Sequence, residues 1–254
     1  MATVAELYSY LNGSIPKELS CDWDNDGLMC CPDNSREVTR VLFTLDVTER
    51  AAEYAIEGGF ELIVSHHPLI FKPISSISET GSVERTLMKL IKNDVAVFSF
   101  HTRLDALSGG VNDALAEKLG IASAELLTDN GDGRIGYIDE GGISVEEYAQ
   151  FVKKRLSAQR VTFIDGGVPV RKVAIVGGSG KDFIKIAIAK GADTFLTGEI
   201  GYSYLNSYLG QKINLIEAGH FFTENPVLDK LQLMVKGYCD VYTEKYFSNE
   251  IKTV

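Results

Sequence analysis

The run FELIVSHHPLIFKP, Phe60 to Pro73, constrains this chain more than any other. Its first half is a short apolar stretch bounded by Gly58-Gly59 and by Pro68, which predicts a buried strand. The strand runs into two adjacent histidines, His66 and His67. The chain has four histidines, and the other two, His101 and His220, also close apolar strand-like runs, VAVFSFH and INLIEAGH. In open α/β folds, ligands bind outside the carboxyl ends of the strands. A lone histidine in such a place is usually a satisfied core or surface residue. Four in equivalent positions predict one site.

Strand and helix alternate through the rest of the chain, the pattern of an α/β fold. Strands are expected at Val38–Val47, Val95–Phe100, Arg134–Ile138, Val161–Ile164, Lys172–Val176, Asp193–Thr197 and Ile213–Glu217. Helices are expected at Thr3–Leu11, stopped by Asn12-Gly13, and from Thr48 to Ile56, ended by Gly58. Others cover Ser82–Asn93, Gly110–Leu119, Lys181–Lys190 and Tyr202–Leu209. Ser144 and Glu147 make a capping box for a helix reaching about Leu156. Thr223 opens the last helix, with Pro226 tolerated in its first turn. Ser20–Cys31 reads as an acidic loop holding the single tryptophan, Trp23.

The turn-rich DNGDG, Asp129–Gly133, is the expected boundary between two lobes. Residues 1–128 then carry His66, His67, His101 and Asp105. Residues 129–254 form the second lobe, whose last segment, from about 217, returns to the site. The recurrence of VAVFSFH in INLIEAGH suggests a duplicated unit.

The net charge of -10 argues against nucleic acid or an anionic membrane as partner. No apolar run approaches the ~20 residues that span a bilayer, and the N-terminus lacks the pattern of a signal peptide. Cys21, Cys30, Cys31 and Cys239 form no C-x-x-C pair, so reduced thiols in a cytoplasmic protein are expected.

Successive strand side chains point to opposite faces. On that ground His66 and His67 are expected to serve two neighbouring ions rather than share one. Paired ions lie ~3.5–4 Å apart and are commonly bridged by a carboxylate or water. Asp105 follows His101 by four residues in HTRLD, and Glu224 follows His220 by four in HFFTE. If either stretch coils, that spacing puts both side chains on one face. Imidazole and carboxylate without thiolate suit Zn, Mn, Fe or Co, and hydrolysis is the natural chemistry of such ions with an open position.

Three other stretches weigh less. VAIVGGSGKDF, Val173–Phe183, is glycine-rich between a strand and a helix, but Ile175 and Asp182 depart from a P-loop. It reads first as a tight turn and second as a site rim. Trp23, Asp24 and Asn25 read equally as a pocket lining or as a packed indole on a polar turn. LDVT, with Asp46 and the helix-capping Thr48, reads as mainly structural.

These residues also carry a resemblance. WDNDGL, LDVT, SHHPLIFKP, HTRLD with GGVNDALAEKLG, GRIG, GGSGKD, TGEI and EAGHFFTE resemble, in order along nearly the whole chain, the motifs of the Nif-three-like family. This is also called the YbgI-like or dinuclear metal centre family, and its members bear the name GTP cyclohydrolase 1 type 2 homologue. The resemblance implies two similar, intertwined α/β lobes with a dinuclear metal site in the cleft between them. It implies two divalent ions per chain, with His67 and Asp105 on one, His66 and His220 on the other, and Glu224 bridging. His101 matches a family histidine beside the metals, for proton transfer or orientation. A homohexamer, a small-molecule substrate such as a nucleotide, and hydrolysis through metal-bound hydroxide follow by the same resemblance. A non-catalytic metal-binding scaffold is the alternative. One departure stands out: where the family often has a histidine after GEI, this chain has Ser203.

Overall fold

The computed structural model describes residues 2–138, 142–247 and 251. Its elements run β1 (Ala2–Thr3), α1 (Val4–Ser14), β2 (Gly27–Cys30), β3 (Glu37–Val38), β4 (Arg40–Thr44), α2 (Glu49–Glu57), β5 (Leu62–Ser65), α3 (Ser82–Lys92) and β6 (Ala96–Ser99). They continue through α4 (Thr102–Ala106), α5 (Val111–Lys118), β7 (Ile121–Leu126), β8 (Arg134–Ile138), α6 (Val145–Leu156), β9 (Thr162–Ile164), β10 (Lys172–Val176), α7 (Ile184–Ala189) and β11 (Thr194–Thr197). The chain closes with α8 (Tyr202–Ser207), β12 (Asn214–Glu217), α9 (His220–Glu224), α10 (Val227–Tyr238) and β13 (Tyr242–Lys245).

The chain forms two compact units, Met1–Leu104 with Leu228–Glu250, and Asp105–Val227 with Ile251–Val254. The expected boundary at Asp129–Gly133 is therefore corrected. That turn is the tip of the antiparallel β7–β8 hairpin, closed by Leu127 N–H to Gly133 C=O and Thr128 N–H to Asp132 C=O, both 3.2 Å. β7 carries little apolar pattern (IASAEL), so the sequence hid the first arm of the hairpin.

The first unit holds a five-stranded sheet in the order β13-β4-β5-β6-β2. Its β4, β5 and β6 are parallel, and β2 lies antiparallel beside β6. Both faces of a parallel sheet are covered, so its strands read as continuous apolar runs; all of Leu62–Ser65 and Ala96–Ser99 are buried. Leu42, Ile63 and Val97 pack with Ala52 and Ala55 of α2 and Leu87 and Leu90 of α3. The second unit holds a six-stranded sheet, β7-β8-β10-β11-β12-β9. Its β10, β11 and β12 are parallel, and β9 is antiparallel beside β12. Alternation along β10 divides its residues between two cores. Val173 and Ile175 join Tyr148 and Val152 of α6, while Ala174 and Val176 join Ile184 and Ala187 of α7.

The two sheets repeat one topology. α1-β2-β4-α2-β5-α3-β6 is matched by α6-β9-β10-α7-β11-α8-β12: a helix, an antiparallel strand, then three parallel strands joined by helices. In each copy the antiparallel strand pairs with the last parallel one. The duplication suggested by VAVFSFH and INLIEAGH is present in the topology.

Several local expectations change. α1 passes through Asn12-Gly13 to Ser14, since its capping box at Thr3 and Glu6 and its buried Val4, Leu7 and Leu11 hold it. A third of the expected acidic loop, Gly27–Cys30, is the strand β2. The last helix is two helices, because Pro226 falls between α9 and α10 rather than inside one. Among the described residues no helix is long and apolar enough to cross a membrane.

Candidate metal centre

In the first unit the register Thr44↔Ser65↔Ser99 ends β4, β5 and β6 side by side. The residues just past those ends are Asp46, His66 with His67, and His101. Backbone bonds continue beyond the strands: His66 N–H to Thr44 C=O, His67 N–H to Leu45 C=O, and Phe100 N–H to Ser65 C=O. The Ser65 hydroxyl adds contacts to the His67 carbonyl at 2.9 Å and the Ser99 hydroxyl at 2.8 Å.

The three rings cluster, with centroids 4.8 Å apart for His66 and His67, 5.3 Å for His66 and His101, and 5.6 Å for His67 and His101. One nitrogen from each lies within 4.8 Å of the others. This corrects the argument from strand faces. β5 ends at Ser65, so strict alternation does not extend to His66 and His67, and the bend there brings both rings to one side.

Each ring has its Nδ1 anchored. His66 Nδ1 is 2.9 Å from the Phe100 carbonyl, His67 Nδ1 is 2.8 Å from Asp46 Oδ1, and His101 Nδ1 is 2.9 Å from Asp24 Oδ1. A carbonyl or carboxylate oxygen only accepts, so each Nδ1 carries a proton, and in the neutral ring Nε2 keeps the lone pair. Metal-binding histidines are held in this way. Asp24 also accepts from the Thr102 N–H at 3.0 Å and its hydroxyl at 2.6 Å. Burial pushes the Asp24 carboxyl up, but the bonds from His101 and Thr102 and the charge of His101 outweigh it and hold the group well below the usual range. Two residues on, buried Asp26 pairs with buried Arg103 at 3.0 Å. Arg103 also donates to Asn12 Oδ1 at 2.8 Å and to the Ile15 carbonyl at 2.9 Å. Asp26 accepts from the His101 N–H at 3.3 Å, so it braces the backbone that carries the ring.

Trp23 is 64% exposed, so the packed-indole alternative is set aside. Its ring meets those of His101 and Phe71 edge-on. A cavity of about 460 Å³ adjoins His67, lined among others by Asp46, Thr48, Arg50, Ser82 and Thr86.

In the second unit α9 opens at His220 directly after Gly219, whose φ of +89° favours glycine. Glu224 therefore ends a short helix; the expectation that it sits in the first turn of the last helix is corrected. His220 Nε2 is 3.1 Å from Glu224 Oε2, and its Nδ1 is 3.5 Å from Glu199 Oε1. A Glu224 oxygen also lies within 4.8 Å of an Asp105 oxygen. The Asn112 side chain donates to the Asp105 carbonyl and accepts from Gly177 N–H, both at 3.0 Å. That bond ties the glycine-rich turn to this group. A Cβ on Gly178 would come within 2.1 Å of Glu224 Oε1 and 3.1 Å of His220 Nε2. The turn thus packs closely against the Glu224 carboxylate.

His101 and His220 are not in identical register. His101 stands two residues past β6 and precedes α4, whereas His220 stands three past β12 and opens α9. Ser203 is exposed on α8. From the sequence Asp24 reads only as one of two alternatives, a pocket lining, Asp46 as mainly structural, and Glu199 has no assigned role. Their signal was there in part, since each lies just past a strand end or beside the tryptophan.

Imidazoles with fixed Nδ1 protons, alongside buried and half-buried carboxylates, fit a divalent ion. The fold and these groups define an α/β protein with a duplicated parallel-sheet unit and candidate metal-binding histidines and carboxylates. The chain belongs to the Duf34/NIF3 (NGG1p interacting factor 3) family, whose profile matches residues 2–253. It is 34% identical over 254 residues to a GTP cyclohydrolase 1 type 2 homolog of Clostridium perfringens, covering 97% of this chain and 96% of that one. It is 30% identical to NIF3-like protein 1 of Drosophila melanogaster, covering 99% and 89%. The fold matches that of a Bacillus cereus protein related to NIF3, with a TM-score of 0.89 at 24% identity over 100% and 99% of the two chains.

Proposed function

We propose that the protein is a dinuclear metal-dependent hydrolase acting on a nucleotide-like small molecule. The observation that carries this reading is the clustering of His66, His67 and His101, whose Nδ1 atoms meet oxygen acceptors and which each bring one ring nitrogen within 4.8 Å of the others. A pair of divalent ions supplies Lewis acidity and lowers the pKa of bound water. In this proposal His66, His67, Asp105, His220 and Glu224 would hold the ions, the ligand set that the family resemblance implies. His101 moves the proton, with Asp24 fixing its tautomer and Asp26 its backbone. The relatives' name supports GTP as a substrate to test, with attack at the imidazole carbon of guanine and release of formate. The same resemblance supports a cytoplasmic homohexamer, which light scattering reads directly.

The test is elemental analysis of purified protein beside Glu224→Ala, followed by a formate assay with GTP and saturating Zn, Mn or Fe. About two metals per chain, falling in the variant, support the centre. No metal after reconstitution overturns it. Full metal with no formate overturns the GTP reaction and favours the scaffold alternative.

A further inference from the structure

The structure assigns a second feature to the His101 side of the histidine cluster: we propose that Trp23 and Phe71 form a stacking subsite for a flat heterocyclic ring. The inference rests on the proposed function only in that the ring's reacting neighbour would be served by the histidine cluster.

Three rings meet there. Trp23 and Phe71 have centroids 6.1 Å apart at 75°, Trp23 and His101 6.2 Å at 75°, and Phe71 and His101 6.2 Å at 88°. Three planes that are pairwise near perpendicular form the corner of a box. In a T-shaped pair one ring lays its edge on the other and keeps its own faces clear of that contact. Trp23 is 64% exposed and Phe71 46% exposed, so both keep open surface in the described structure. A flat ring laid on one wall meets the other two edge-on, the arrangement that aromatic quadrupoles favour.

The corner is also held in place. The Asn25 side-chain amide donates to the Ile70 carbonyl, joining the residue two after Trp23 to the residue before Phe71. The third wall, His101, is fixed by Asp24 at 2.9 Å. Ordering costs are therefore already met before a ligand arrives, which favours affinity. By contrast, the cavity beside His67 is lined by aliphatic, hydroxyl and charged side chains, with no Phe, Tyr or Trp among them. A ring that needs a π-face finds it at Trp23 and Phe71.

Trp23 is the only tryptophan of the chain, so its fluorescence reports on this corner alone. Metal-loaded protein would be titrated with guanosine monophosphate, adenosine monophosphate and ribose 5-phosphate. Saturable quenching by the two nucleotides and none by ribose 5-phosphate is expected. Phe71→Leu should weaken nucleotide binding about tenfold or more, the contribution of one stacked ring, with metal content unchanged. Calorimetry on Trp23→Leu should show a similar loss. Equal responses to all three ligands, or none to any, would overturn the subsite. Elemental analysis of the same samples separates the two readings. Metal-replete protein blind to both nucleotides sinks the subsite alone, and metal-free protein that still quenches keeps the subsite while the metal centre fails.

Discussion

Asp24 Oδ1 and His101 Nδ1 lie 2.9 Å apart across 77 residues of sequence. The bond fixes the His101 tautomer. Asp24→Ala should release it, and long-range ¹H–¹⁵N spectra of the histidine rings should show the His101 Nδ1–H form dominant in the parent chain and mixed in the variant. Loss of the contacts to His101 and Thr102 should also cost about 2–3 kcal/mol of stability, read by urea denaturation at neutral pH. An unchanged tautomer would remove Asp24 from the site.

Gly178→Ala is a sharper test of the second unit. The added methyl would fall on the Glu224 carboxylate, at a backbone φ of +64° where side chains are strained. Metal content per chain should fall severalfold, while the thermal midpoint drops by only the few degrees that a 1–2 kcal/mol change brings. Retention of full metal would separate Glu224 from the centre.

Arg103 is wholly buried against Asp26, Asn12 and the Ile15 carbonyl. Removing one partner of a buried pair leaves the other uncompensated. Arg103→Ala should cost about 3–5 kcal/mol, and Arg103→Ala with Asp26→Ala less than the sum of the single changes. A double-mutant cycle measures the difference.

Cys30 sets a pH-dependent expectation. Burial, and then the neighbouring Cys31, push its thiol up to about 11. The thiolate is the reactive form, so at pH 8 an alkylating reagent should modify exposed Cys21 well before Cys30. In the unfolded chain the thiol ionises near 8.5. The neutral thiol's contribution to stability is thus whole below about pH 8.5 and is lost as pH rises toward 11. Cys30→Ala should flatten that part of the stability profile.

How much of this was legible beforehand depends on which forces leave a local trace. Parallel strands buried on both faces write themselves as apolar runs, so Lys172–Val176 and the runs ending near His66, His101 and His220 were all placed correctly to within two residues. Capping boxes are equally local, and the helix Val145–Leu156 was read with its Ser144 cap. Edge strands leave almost none. Gly27–Cys30 and Tyr242–Lys245 are held by pairing with distant partners, and Ile121–Leu126 by its hairpin with Arg134–Ile138, not by their own composition. At the site, residue types and spacing pointed to the histidines, Asp105 and Glu224. The residues that orient them could not be paired from sequence, because Asp24 reaches His101 and Asp46 reaches His67 only through the fold. The argument that put His66 and His67 on opposite faces failed because it carried strand alternation two residues past Ser65, where β5 ends.

Strand β13 has a consequence for how the protein comes into being. It pairs with β4, from Tyr242↔Arg40 to Lys245↔Phe43, so one edge of the first sheet is supplied from almost the far end of the chain. During synthesis the second sheet has all six strands once residue 217 is out of the ribosome. The first sheet must wait with β4 unpaired along that edge, a surface open to wrong pairing, until residue 245 emerges. The later half of the polypeptide is therefore able to settle before the earlier half, and protease challenge of nascent chains stalled on either side of β13 would read that order.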